Sequence, residues 1–148
     1  MKRLTLAACA AALFLAAIPA YAADAIDGVL TPYFRIQKQL ADDKGDVKGD
    51  ATLVAEAAAA LGSAGDPIAA AARTLAGAST LPAARDAFGT LSEALVAYAD
   101  STDAALGAGT STAYCPMVKK SWLQQGQDIR NPYFGKSMLG CGTIKKKG

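Results

Sequence analysis

Alanine dominates residues 23–112, and the larger apolar side chains in this stretch recur every three or four positions. This spacing places them on one face of an α-helix, so it predicts amphipathic helices throughout this part of the chain. The predicted faces are Ile26, Leu30, Tyr33, Ile36 and Leu40, then Val47, Ala51, Val54, Ala58 and Leu61, then Ile68, Ala72 and Leu75, and finally Ala84, Phe88, Leu91, Leu95 and Tyr98.

Turn and capping residues divide this stretch into helices. Thr31-Pro32 marks a start or a kink in the first helix, Asp66-Pro67 begins the third, and Ser79 or Thr80 caps the fourth. Amphipathic helices joined by short loops are typical of antiparallel bundles. The sequence therefore predicts an all-α fold, an antiparallel bundle of about four helices over residues 23–106, with an irregular, turn-rich C-terminal segment packed against it.

The first 22 residues have the anatomy of a secretory signal peptide. Lys2 and Arg3 precede an apolar run over residues 4–18, and a small-x-small cleavage site follows at Ala20-Tyr21-Ala22. We therefore expect export, cleavage after Ala22 and a periplasmic protein with no integral membrane segment in the mature chain. A transmembrane anchor and lipidation at Cys9 are the less favoured alternatives, because spanning a bilayer takes about 20 apolar residues and the apolar run continues past Cys9 to Ile18.

Charge and composition exclude several classes of function. The chain has 15 basic and 13 acidic residues, and Lys2 and Arg3 account for the difference. The neutral mature chain predicts no binding to nucleic acid. The sequence contains no histidine, which excludes Ser-His and Cys-His catalysis and histidine metal sites. It also has no Cys-x-x-Cys motif and no phosphate-binding glycine loop, so we expect no enzyme activity.

A glycine- and threonine-rich linker over residues 107–112 separates two parts of opposite charge within one domain. Residues 23–112 carry 6 basic and 12 acidic side chains, whereas residues 113–148 carry 7 basic side chains and the single acid Asp128. Such a difference favours docking of the second part onto the first. The alternative is that the two parts form solvated faces of unlike sign.

All the sulfur of the mature chain lies in the second part, in a mirrored order. The four residues are Cys115, Met117, Met138 and Cys141. Asn131-Pro132 and Gly135 between them are turn signals that can bring the two ends together. Two thiolates and two thioethers suit a soft, low-coordinate cation such as Cu(I). The adjacent Lys119 and Lys120 are expected to lower a thiol pKa and to favour the thiolate.

A structural disulfide between Cys115 and Cys141 is the alternative, because exported proteins usually pair their cysteines. Closing such a loop stabilises a fold by about 3–4 kcal/mol in the loop-entropy model. The aromatic residues between the cysteines also have two interpretations. Trp122, Tyr133 and Phe134 form a hydrophobic anchor for this segment, or Trp122 covers a bound cation with its ring face.

The C-terminal motifs resemble those of a bacterial family that is known only as a domain of unknown function. The resemblance rests on Tyr114-Cys115-Pro116-Met117, Trp122-Leu123, Asn131-Pro132-Tyr133-Phe134-Gly135 and Met138-Leu139-x-Cys141-Gly142. It extends to Arg85-Asp86-Ala87-Phe88 and, more loosely, to Leu40-Ala41-Asp42-Asp43. Members of that family are exported helical proteins, found alone or fused to periplasmic adaptor subunits of heavy-metal efflux pumps.

The resemblance implies copper or a related metal, with Cys115, Met117, Met138 and Cys141 as ligands. Some relatives have histidine where this chain has Tyr114, which leaves an all-sulfur site and favours Cu(I). The expected function is therefore that of a periplasmic copper(I)-binding protein, acting as a chaperone, a buffer or an efflux accessory. Its expected partner is a heavy-metal efflux component or another copper carrier.

Overall fold

A computed structural model of the chain describes residues 18–102 and 106–145. The helices are α1 (Ile18–Ala41), α2 (Lys48–Ala57), α3 (Asp66–Ala76) and α4 (Leu81–Thr102), with 3₁₀ segments at Ala58–Gly65 and Gly135–Met138. The strands are β1 (Thr110–Cys115), β2 (Lys120–Gln125) and β3 (Thr143–Ile144). Of the predicted signal peptide, residues 1–17 lie outside the described residues. In the described part, no helix combines the length and the apolar character needed to span a membrane.

The predicted all-α fold is wrong, because the C-terminal segment forms an antiparallel sheet and the protein is α+β. The strand order is β2-β1-β3, with β1 in the centre. Within the expected linker, residues 110–112 belong to β1. Alternate residues of β1 are buried, namely Ser111, Ala113 and Cys115. This alternation is the pattern of a half-buried strand, but the small buried side chains give it little hydrophobic contrast in the sequence.

The helical faces predicted from the spacing supply most of the core. Ile26, Leu30, Tyr33, Ile36 and Leu40 of α1 are all buried, and α1 continues through Pro32. Four of the five residues on the second face are buried. The helix α2 passes into the 3₁₀ segment, which has a kink at Gly62, where φ is 65°. The fourth helix begins at a cap, because the Thr80 hydroxyl accepts a hydrogen bond from the Ala83 N–H at 3.3 Å.

The sheet and the helices share one hydrophobic core. The ring of Tyr33 on α1 stacks on Phe88 of α4 with centroids 5.1 Å apart. Phe88 lies 6.1 Å from the ring of Tyr133, which in turn meets the edge of Trp122 on β2 at 5.8 Å. Because this chain of aromatic contacts crosses from helix to strand, the two parts of the chain form one folded unit.

Arg85 of α4 joins both parts at the end of α1. Its guanidinium donates to the Asp43 carboxylate at 2.6 Å, to the Leu40 carbonyl at 3.1 Å and to the Pro132 carbonyl at 3.0 Å. Gly135 lies directly against this group, with φ of 56°, and a Cβ there would lie 1.9 Å from the Asp43 carboxylate. Only glycine fits this approach without displacing the ion pair.

Oppositely charged side chains also meet across the two parts of the chain. Arg130 pairs with Asp42 at 2.5 Å, and the Arg130 carbonyl accepts a hydrogen bond from Gln37 at 2.6 Å. Lys120 reaches over α4 to Asp86 at 3.4 Å. The acidic first part and the basic second part therefore contact each other through specific pairs as well as through the shared core.

Candidate functional site

The sheet brings Cys115 and Cys141 together. Cys115 is the last residue of β1 and is fully buried. β3 pairs with β1 so that Tyr114 lies opposite Thr143. Cys115 directly follows Tyr114, and Cys141 lies two positions before Thr143, so this pairing brings the two cysteines to the same end of β1. Both cysteines are free thiols in this structure, and Cys141 is half-buried.

Cys115 influences the protonation of the Cys141 thiol. Burial raises the pKa of the Cys141 thiol, and the neighbouring Cys115 raises it further, through its charge and through a hydrogen bond between the side chains. A raised pKa favours the protonated thiol, so a metal ion that binds Cys141 must displace the proton of this thiol.

The two methionines lie at the surface. Met117 belongs to the loop between β1 and β2 and is 62% exposed. Met138 ends the 3₁₀ segment that precedes Cys141 and is 38% exposed. With Val118 and Leu53, they are the exposed large hydrophobic residues of the described part of the chain. Their thioether sulfur atoms are therefore accessible to solvent or to another molecule.

The lysines that follow Cys115 have different environments. Lys120 lies opposite Cys115 on β2, and its aliphatic chain packs over Gly89 of α4, where a Cβ would come within 2.6 Å of it. Its ammonium group is directed to Asp86. Lys119 occupies the turn that joins the strands, with φ of 55°. The expectation that Lys119 and Lys120 favour the thiolate of a nearby cysteine stays a prediction.

Trp122 is fully buried on β2, on the same face of the sheet as Ala113. Its indole N–H donates to the Gln124 side chain at 3.1 Å, and its ring meets Tyr133 edge-on. A Cβ on Gly142 would lie 2.9 Å from the Trp122 ring. The indole therefore packs against the backbone that follows Cys141, in the environment of a core side chain.

Asn131 makes a hydrogen bond at this site that its sequence motif did not predict. The motif Asn131-Pro132 predicts a turn, but the structure also directs the buried Asn131 amide onto the Cys141 carbonyl, at 2.6 Å. A short polar side chain next to proline gives no indication of a partner ten residues away. Its complete burial, which only the structure shows, is the sign of this second role.

Within residues 18–102 and 106–145, no three His, Cys, Asp or Glu side chains form a metal-binding group. An ion held by Cys115 and Cys141 therefore has only two thiolate ligands from this set. Closed zinc sites take four ligands, whereas Cu(I) accepts two or three soft ones, and thioethers qualify.

No protein-family profile, no curated protein and no solved structure matches this chain. The family resemblance of the C-terminal motifs, and the copper context that it implies, stay predictions. The helices, the sheet and the cysteine pair described above stand on the structure alone.

Proposed function

We propose that this protein is an exported copper(I)-binding protein that acts in the periplasm as a chaperone, a buffer or an accessory to metal efflux. The observation that carries the proposal is the pairing of β1 with β3, which brings Cys115 and Cys141 together from distant positions in the chain. Met117 and Met138, two positions after Cys115 and three before Cys141 in the sequence, have exposed side chains. Two thiols with adjacent thioethers form a donor set suited to Cu(I).

Capture of the ion is an exchange of protons for metal. Cu(I) forms bonds to the sulfur atoms of Cys115 and Cys141, and both thiol protons pass to solvent. Met117 or Met138 completes a three-coordinate site. Because a thioether is neutral and binds weakly, a partner's ligand can displace it first, and the thiolates then follow one at a time. The partner would be a heavy-metal efflux component or another copper carrier.

The alternative is a structural or protein-interaction module in which Cys115 and Cys141 form a permanent disulfide. The same proximity of the two thiols supports this alternative, because a disulfide forms only where the backbones of its two cysteines lie close together in space. Oxidising compartments favour such pairing in exported proteins. The two proposals differ in the oxidation state of the thiols in the isolated protein.

Competition for Cu(I) against a chromogenic chelator tests the proposal. The chain without residues 1–22 is measured as isolated and after reduction, with free thiols counted in both samples. We expect tight one-to-one binding by the reduced protein, loss of binding in Cys115→Ser and Cys141→Ser, and weaker binding in Met117→Leu. Leu53→Ala is the matched control, because Leu53 is also an exposed apolar residue.

Unchanged Cu(I) affinity in Cys141→Ser would overturn the copper assignment. Oxidised thiols in the isolated protein, with no copper binding after reduction, would support the disulfide alternative. In that case Cys141→Ser lowers thermal stability without any dependence on copper.

A further inference from the structure

Asn131 is a fully buried polar residue in the segment between β2 and the second cysteine. Its side-chain carbonyl accepts hydrogen bonds from the backbone N–H groups of Tyr133, at 2.8 Å, and Phe134, at 3.3 Å. Its side-chain NH₂ group donates to the Cys141 carbonyl at 2.6 Å. The two ends of one amide therefore connect the Pro132–Gly135 turn to the backbone of Cys141.

The backbone of Asn131 makes the same connection. Its N–H donates to the Leu139 carbonyl at 2.8 Å, and its carbonyl accepts from the Gly135 N–H at 3.1 Å. The segment from Leu139 to Cys141 is thus tied to Asn131 at two points. Gly140 and Gly142 flank Cys141 and add no side-chain contacts that could hold it.

The turn that Asn131 organises is itself anchored to the rest of the fold. Arg85 of α4 donates to the Pro132 carbonyl at 3.0 Å. The Tyr133 hydroxyl donates to the Ser121 carbonyl of β2 at 2.8 Å. Cys141 is also held by its own N–H, which donates to the Met138 carbonyl at 3.0 Å, but its carbonyl is bound by the Asn131 side chain. Asn131 therefore links the fixed turn to the backbone of Cys141.

We propose that Asn131 is a positioning residue for Cys141, whose side-chain NH₂ group sets the placement of that cysteine relative to Cys115. The importance of Asn131 for metal binding rests on the proposed copper function. Its effect on the placement of the two thiols does not depend on that function. Without the donor, the Cys141 carbonyl loses its hydrogen-bond partner, and the segment between the two glycines can move away from β1.

Two substitutions separate this role from the role of Asn131 in the turn. Asn131→Asp keeps the side-chain acceptor for Tyr133 and Phe134 but removes the donor to Cys141. Asn131→Ser keeps a hydroxyl acceptor, which supports a similar turn, and introduces no buried charge. Val54→Ala is the matched control, because Val54 is fully buried on α2 and its truncation lowers stability away from the sheet.

The readout is the equilibrium of the two thiols with glutathione, in which protein dithiol and glutathione disulfide form protein disulfide and two molecules of reduced glutathione. It reports how closely the folded protein holds the sulfur atoms, and it needs no metal. We expect both Asn131 variants to lower this equilibrium constant about tenfold, the usual effect of losing one buried hydrogen bond. Val54→Ala should leave it unchanged. Cu(I) affinity, measured in parallel, should fall in the same two variants.

An equilibrium constant within twofold of the parent in folded Asn131→Asp and Asn131→Ser would overturn the proposal. If neither variant folds, Asn131 serves the fold as a whole, and the separate positioning role is also overturned. A parent protein that binds no Cu(I), together with a lowered thiol equilibrium in both variants, would remove the copper function and leave the positioning role intact.

Discussion

The hydroxyl oxygen of Tyr33, on α1, accepts a hydrogen bond from the backbone N–H of Leu123, on β2, at 3.0 Å. The same hydroxyl also bonds to Ser92 of α4 at 2.8 Å. β2 is an edge strand, and edge strands present unpaired backbone groups that need a partner. Here a helix side chain supplies that partner, so the first helix, the last helix and the sheet meet at one buried oxygen.

Tyr33→Phe tests this junction. The substitution removes the hydroxyl, leaves the Leu123 N–H buried without its partner and keeps the ring stacked on Phe88. We expect a loss of about 1–3 kcal/mol in the free energy of unfolding, the usual penalty for such a group. Urea denaturation measures it, with Tyr98→Phe as the control on a half-buried tyrosine of α4. Equal losses in the free energy of unfolding for the two substitutions would show that the hydrogen bonds of the Tyr33 hydroxyl do not stabilise the fold.

Gly135→Ala should destabilise the protein far more than Gly140→Ala. At Gly135 the positive φ disfavours any side chain, and a new Cβ would collide with the Asp43 and Arg85 side chains at 1.9 and 2.2 Å. A Cβ at Gly140 would meet no atom within 4 Å. We expect a loss above about 2 kcal/mol for the first substitution and less than about 0.5 kcal/mol for the second. Thermal unfolding of the two variants, followed by circular dichroism, checks this difference.

Asp42 should make the protein sensitive to acid. Its hydrogen bond with Lys38 lowers the pKa of the carboxyl, and the charges of Lys38 and Arg130 lower it further against an opposing effect of burial. The folded state therefore binds the Asp42 proton less tightly than the unfolded state. Its contribution to stability is present above the ordinary aspartate pKa of about 3.9 and is lost as the pH falls through the lower folded value.

Asp42→Asn removes that titration. Urea midpoints measured between pH 7 and pH 2 should therefore fall less steeply in the variant than in the parent. Asp100→Asn, at an exposed position near the end of α4, is the control and should follow the parent. Parallel curves for Asp42→Asn and the parent would contradict the assignment.

Cys141 should become more reactive when Cys115 is replaced. Two of the three causes that raise the Cys141 pKa come from Cys115, so Cys115→Ser should lower that pKa and increase the thiolate fraction at a given pH. The rate of Cys141 alkylation by iodoacetamide, measured on metal-free protein across a pH series, should have its midpoint at lower pH in the variant. An unchanged midpoint would mean that the two thiols do not interact.

The helical part of this protein was predictable because its signals are local. Ile26, Tyr33 and Leu40 recur on one helix face whatever the rest of the chain does, and all three are buried. Thr80 marks the start of α4 through a contact within one turn of helix. The concentration of sulfur between residues 115 and 141 is likewise a property of the sequence, and it identified the segment that holds the candidate site.

The sheet, in contrast, depends on contacts between distant residues. β3 has only two residues, too few for any alternation to be recognised, and it exists because Thr143 and Ile144 pair with β1. In β1, a glycine precedes a run of mostly small and polar residues, and this composition is typical of a linker. Only the structure shows that alternate positions of the run face the core.

The sequence by itself determined the helix faces, the turn positions and the segment that carries the cysteines and methionines, because each depends on residues within a limited stretch of chain. The tertiary structure decided that the linker becomes the central strand, that Asn131 holds Cys141 and that Arg85 binds the Pro132 carbonyl. Strand pairing and the hydrogen bonds of buried polar groups join residues far apart in the chain. Their energies depend on which partners the fold brings together, and a local pattern carries no information about that choice.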